Sequence, residues 1–192
     1  FKWFQALIPD STSKGGVDAI SHQERLERCS NLMKEAGLDA LLLTKPANIF
    51  YLTGDGRLCA YALITQGGKV ALGVPQTDVE DVNSLAHFDH IMGFEDEVGM
   101  IHSIAHHFEH FGIRQGVVGL EYTFLTQSMM AMLTHPHAKP ADVIIKDCTH
   151  ILSELRKAKD SEEIERIQAA AKVAEAGMRA AVEAVKPGVT ES

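Results

Sequence analysis

Between Ser21 and Asp147, short apolar runs alternate with stretches of helical periodicity at intervals of roughly 10–20 residues, which restricts the chain to an α/β architecture. A short apolar run satisfies its backbone by pairing with other strands, and the amphipathic stretches then cover the faces of the sheet. The first amphipathic stretch, "SHQERLERCSNLMKEAGLDA", opens with Ser21 and Glu24 at capping-box spacing. Leu26, Cys29, Leu32, Met33 and Ala36 follow on one helical face, and Gly37 stands where a C-terminal cap is expected. "DALLLT" (Asp39 to Thr44) comes next as a buried strand, and "NIFYLTG" (Asn48 to Gly54) reads as a second β-branched and aromatic run closed by glycine. Cys59 to Thr65 and Lys69 to Val74 flank a glycine turn and read as a hairpin. "TDVEDVNSLAHF" reads as a helix with Thr77 and Glu80 as its capping box. "HIMGF" reads as a strand, and "EVGMIHSIAHHFEHFG" as a helix ended by Gly112. "GVVGLE", "FLTQSMMAML" and "ADVIIKD" complete the alternation as strand, helix and strand, with Met129, Met130 and Met132 filling core gaps. A hairpin inside such a series makes the sheet mixed rather than purely parallel. The expected fold is therefore α/β, a mixed sheet flanked by helices.

Composition narrows the function classes. With 45% hydrophobic residues among 192, the chain is long enough for a real core. A net charge of −8 argues against a general nucleic-acid or anionic-membrane surface, and no apolar stretch reaches the length of a membrane span. The opening "FKWFQALIP" runs straight into Asp10 without a small-residue cleavage site, so no signal peptide is expected. "DSTSKGG" (10–16) is turn-rich, and residues 1–20 read as an extension ahead of the first helix. Cys29, Cys59 and Cys148 are odd in number and form neither a zinc pattern nor a disulfide framework, which points to a reducing, cytoplasmic setting.

His102, His106, His107 and His110 crowd one predicted helix. His102, His106 and His110 recur at four-residue steps on one face, a spacing that binds zinc or nickel when a third ligand approaches. Glu109, His135 and His137 are the nearest candidates for that third ligand, but nothing in the spacing fixes one, and no HExxH pattern is present. The expectation is a partly solvated helix face without metal. Glu121 and Tyr122 follow the "GVVGL" strand, and a structural role is expected of Glu121.

After "HILSELRKAK", Asp160 and Glu163 form a capping box for a long final helix that Pro187-Gly188 stops. Roughly 25 residues give it a length of roughly 38 Å. Ile164, Ile167, Ala171, Ala174, Met178, Ala181 and Val185 make an amphipathic stripe along it, with a coiled-coil seam as the alternative reading of the same spacing.

Three segments carry a resemblance. "LRKAKDSEEIERIQAAAKVAEAGMRAAVEAVKPGVTE" resembles the opening of the catalytic domain in the pita-bread metalloenzymes: Xaa-Pro dipeptidases (prolidases), Xaa-Pro aminopeptidases and creatinases. "ERLERCSNLMKEAGLDALLLT" and "PANIFYLTG" resemble that family's N-terminal domain. The resemblance implies an N-terminal domain over residues 21–152, with 153–192 forming a linker and the first helix of a catalytic domain. It also implies a peptidase cleaving before proline, with two divalent cations (Mn, Co or Zn) held by two Asp, one His and two Glu. All five ligands belong to the family's catalytic domain beyond its first helix, so no catalytic or metal residue is carried over and this chain alone is expected to be inactive. Creatinase-like, lyase and metal-free scaffold relatives share the architecture and stay open. In the family this domain helps build dimers or tetramers, and a loop from it can reach a neighbouring subunit's active site and shape the pocket. Tyr51, Asp55 and Arg57 are the corresponding candidates for binding a proline-containing peptide, where Arg57 suits a carboxylate and Asp55 an amine; the other reading of the same residues is a solvated hairpin loop with a local Asp–Arg pair. Many members carry an aromatic residue where this chain has Asp55, so no particular substrate preference is carried over.

Overall fold

A computed structural model describes residues 21–58 and 60–188. The N-terminal extension and Cys59, both subjects of expectations above, lie outside the described residues. Residues 21–158 form one compact unit, and a second begins at Lys159.

The larger unit contains a six-stranded sheet. Its strands are β1 (Ala40–Leu43), β2 (Tyr61–Thr65), β3 (Val70–Pro75), β4 (His90–Phe94), β5 (Gln115–Leu120) and β6 (Asp142–Asp147), in spatial order β4-β3-β2-β1-β5-β6. The β1–β2 and β2–β3 pairs are antiparallel; β3–β4, β1–β5 and β5–β6 are parallel. The mixed sheet expected from the hairpin is thus present. The helices are α1 (His22–Ala36), α2 (Pro46–Thr53), α3 (Val79–Leu85), α4 (Glu97–His110), α5 (Gln127–Leu133) and α6 (Thr149–Leu155).

Burial on both faces explains the unbroken apolar character of β1, whose four residues are all buried. Leu41 and Leu43 join one core with Leu26, Cys29 and Met33 of α1 and with Ile151, Leu152 and Leu155 of α6. Ala40 and Leu42 point the other way, into a core with Met100, Ile104 and Phe108 of α4. Met130 and Met132 pack against this second core. The two cores sandwich the sheet between helical layers.

Local signals account for most boundaries. Ser21 and Glu24 close the capping box of α1, and Gly37 ends it at φ 65°. Asp96 and Thr126 cap α4 and α5 through their side chains. Two expectations fail. Asn48 to Gly54 is the body of helix α2, not a strand-like run. Pro46 occupies its first turn with φ preset for helix, and the carboxylate of Glu121, just after β5, accepts the N–H groups of Thr44 and Lys45 that lead into it. The expected Thr77–Glu80 capping box does not form either: a single 3-10 turn (Gln76–Asp78) precedes α3, and no side chain caps it.

In the second unit, α7 (Ser161–Ala184) begins with the expected Asp160–Glu163 capping box. Glu163 N–H donates to Asp160 Oδ1 at 2.8 Å, and Asp160 N–H donates to Glu163 Oε2 at 3.0 Å.

Tyr61 lies across from Gly73 in the hairpin register, fully buried, and its ring occupies the space a side chain at 73 would need. A Cβ at Gly73 would lie 1.9 Å from Tyr61 Cε1. Gly73→Ala is expected to lower the unfolding free energy by about 1–3 kcal/mol through overpacking. Urea denaturation checks this, and an unchanged midpoint would contradict the packing described.

Candidate functional site

Helix α2 ends at Gly54, whose φ of 88° turns the chain into the loop 54–58. Gly56 is confined: a Cβ there would meet Pro46 O at 2.4 Å, so the loop folds back tightly on the start of α2. Asp55 Oδ1 accepts the backbone N–H and the Nε–H of Arg57, each at 3.1 Å, and its Oδ2 accepts from Arg57 Nη2 at 2.9 Å. Arg57 Nη1 reaches Asp78 Oδ2 at 3.3 Å. These carboxylates, above all Asp55 through the hydrogen bonds it accepts, raise the guanidinium pKa further. Two carboxylates against one guanidinium leave the cluster net negative, a field suited to an ammonium group.

The structure therefore joins two of the three expected residues, Asp55 and Arg57, and adds Asp78. Asp78 was legible only through register. Tyr61 pairs with Gly73, so the residues just before β2 run beside those just after β3, which brings Arg57 to Asp78. Tyr51 is placed elsewhere. It is buried, its hydroxyl donates to Leu155 O at 3.2 Å, and the Arg25 guanidinium lies 4.4 Å above its ring.

Glu121 follows β5 and is 2% exposed. Its Oε2 accepts from the backbone N–H groups of Thr44 and Lys45, each at 3.1 Å, and its Oε1 accepts from Asn48 Nδ2. This is the structural role expected of it: from the end of a distant strand it holds the residues that lead into α2 and the Asn48 side chain. Thr44, Asp78 and Glu121 all follow strands at one end of the sheet, where the parallel strands β3 and β4, and β1 and β5, have their carboxyl ends. In open α/β sheets that end is the usual place for ligands.

The histidines divide into two groups. His107 is fully buried, with Nδ1 2.9 Å from the Tyr61 hydroxyl. Ser103 Oγ donates to Met100 O at 2.9 Å and Tyr61 donates to Ser103 Oγ at 2.8 Å. That order assigns the proton on His107 to Nδ1, donated to the Tyr61 oxygen, and leaves the lone pair on Nε2. Burial, then the neighbouring His90, His106 and His110, push its pKa down to about 3, so the ring is neutral. His106 and His110 instead face outward and meet His90, the first residue of β4, which the sequence reading did not consider. Burial, then His110 and His106, also lower the His90 pKa. His102 is exposed and takes no part in that group, while Glu109 and His137 line a separate cleft with Ala105, Ile113 and Arg114. His135 pairs with His137, their rings 5.1 Å apart. Among the described residues, no helix is long and apolar enough to cross a membrane.

Residues 25–158 match the creatinase/prolidase N-terminal domain family. The chain is 28% identical over 169 residues to an Xaa-Pro dipeptidase of Pyrococcus furiosus, covering 88% of this chain and 45% of that protein. It is 31% identical over 176 residues to an uncharacterized peptidase of Staphylococcus haemolyticus, covering 87% and 46%. The solved Xaa-Pro dipeptidase from Bacillus anthracis superposes with a TM-score of 0.74 at 25% identity, over 89% of this chain and 46% of that one. The chain thus spans a little under half the length of these relatives.

Cys29 and Cys148 are free and fully buried. Burial pushes the Cys29 thiol up to about 12 and raises Cys148 as well. Only the thiolate reacts, so at pH 8 a thiol reagent is expected to modify these two residues in urea and to leave both untouched in the native protein. Mass spectrometry of the labelled peptides checks this; native labelling of either residue would contradict the burial.

Proposed function

Since the chain belongs to the creatinase/prolidase N-terminal domain family, we propose that it serves as the non-catalytic N-terminal domain of a metal-dependent peptidase acting on Xaa-Pro peptides. The observation that carries this is the coincidence of the family match, residues 25–158, with the compact sheet unit, residues 21–158. The hydrolytic centre then belongs to the half of the relatives that this chain does not span. Two divalent cations (Mn, Co or Zn) in that half would supply an activated hydroxide for attack on the scissile carbonyl. No residue of this chain is assigned to hold them.

The contribution of this domain is positional. In a homodimer, the loop 54–58 is presented to a neighbouring subunit's pocket. Asp55 faces the peptide's ammonium group, and Arg57 fixes Asp55 in place through its paired hydrogen bonds. The net negative charge of the Asp55–Arg57–Asp78 cluster supports this assignment. Tyr51 acts from below, holding α2 to the chain at Leu155. Buried free thiols at Cys29 and Cys148 suit a reducing, cytoplasmic setting.

The test compares this 192-residue chain with the longer peptidase containing it, on an Xaa-Pro dipeptide with added Mn²⁺. The longer protein is expected to hydrolyse the dipeptide and the chain alone to show no rate above the metal blank. Arg57→Ala in the longer protein is expected to raise KM roughly tenfold with little change in kcat, the pattern of lost ground-state binding. Hydrolysis by the chain alone, or an inert longer protein, would overturn the proposal.

A further inference from the structure

At the end of the sheet opposite the Asp55–Arg57–Asp78 cluster, three imidazoles converge from two elements. His90 opens the edge strand β4, while His106 and His110 lie one turn apart at the end of α4. The convergence follows from the connection. Only Glu95 and Asp96 separate β4 from α4, so the helix runs back along the strand and its last turn reaches the strand's first residue. His102 is two turns earlier on α4, which places it roughly 12 Å further along the axis from His110 and beyond reach of His90.

We propose that His90, His106 and His110 form a binding site for a single transition-metal dication of the zinc, nickel or copper class. One nitrogen from each ring lies within 4.8 Å of the other two. In a tetrahedral site with metal–nitrogen bonds of about 2.0–2.1 Å, neighbouring ligand nitrogens stand roughly 3.4 Å apart. Small rotations of the imidazoles close the remaining gap. The rings are already gathered: His90 and His110 have centroids 4.1 Å apart, His90 and His106 5.6 Å, and His106 and His110 6.3 Å.

A second observation points the same way. His90 Nδ1 is buried and has no hydrogen-bond partner, although buried imidazole nitrogens are ordinarily satisfied. His107 backs His90 edge-on at 5.1 Å and is itself held by Tyr61, so the inner wall of the group is rigid. His106 and His110 are exposed, which leaves the outer side open for water or a further ligand. Three imidazoles without a carboxylate suit borderline cations over magnesium or calcium, which prefer oxygen. A bound ion would tie the start of an edge strand to the helix that covers it.

The test is zinc titration of the 192-residue chain by calorimetry, with Mg²⁺ as the comparison cation and thermal unfolding followed with and without zinc. One zinc per chain is expected, together with a raised Tm. His106→Asn and His110→Asn, both exposed positions that leave the core intact, are each expected to weaken binding at least about tenfold, since loss of even an outer-shell partner costs that much. His102→Asn and the double variant His135→Asn/His137→Asn serve as controls and are expected to bind zinc within about twofold of the unaltered chain, because neither belongs to the site. The absence of stoichiometric binding, equal binding of Mg²⁺, or zinc binding that survives His106→Asn and His110→Asn would overturn the proposal. Peptide hydrolysis is not the readout, so the result is independent of the function proposed above.

Discussion

One buried carboxylate organises the end of the sheet where the candidate substrate loop lies. Glu121 takes two backbone N–H groups at the entry to α2 and the Asn48 amide, and Asn48 Oδ1 in turn accepts from Arg156 Nη1 at 2.7 Å. The end of β1, the start of α2, the end of β5 and the chain after α6 are thereby joined. A buried charge is costly unless hydrogen bonds and favourable dipoles surround it; here Thr44, Lys45 and Asn48 supply the hydrogen bonds and the nearby positive end of α2 the dipole. An eight-residue helix is also too short to persist alone. It exists here because Glu121 holds the two residues that lead into it and the Asn48 side chain, while Ile49, Tyr51 and Leu52 bury its inner side. The loop 54–58 departs from the far end of this helix, so its position is inherited from Glu121.

That dependence also separates the elements legible in the sequence from those that depend on distant partners. Helix α1 was legible because its cap residues, stripe and terminating glycine all lie within its own seventeen-residue span, 21–37. The β2–β3 hairpin was legible for the same reason, its turn and both strands being contiguous. Helix α2 was misread because composition argued for a strand while the deciding group sits 76 residues from Lys45. The Thr77–Glu80 spacing suggested a box, but the chain there makes a 3-10 turn and the expected bonds are absent. Asp78 and His90 were overlooked because their partners, Arg57 and the end of α4, become neighbours only once strand register and the short β4–α4 connection are known.

The two side-chain clusters divide the sheet between its ends. Ala71 pairs with His90 and Pro75 with Phe94, so the histidines stand at the start of β3 and β4 and the Arg57–Asp78 pair lies beyond their far end. Five strand residues separate them by about 16 Å at 3.3 Å per residue. Events at one cluster therefore need not disturb the other directly. The family relation bears on the loop end, where relatives supply a functional expectation. The histidine end rests on this chain's own residues.

The most direct measurement of the account is the stability of Glu121→Gln, followed by urea denaturation together with amide exchange in α2. A neutral amide presents N–H groups to the donors of Thr44, Lys45 and Asn48 and cannot satisfy them all. A loss of about 2–3 kcal/mol is expected, with faster exchange confined mainly to α2 and the loop 54–58. Unfolding within about 0.5 kcal/mol of the unaltered chain, the range typical of an inconsequential surface change, with unchanged exchange in α2, would contradict the claim that this carboxylate holds the loop's base.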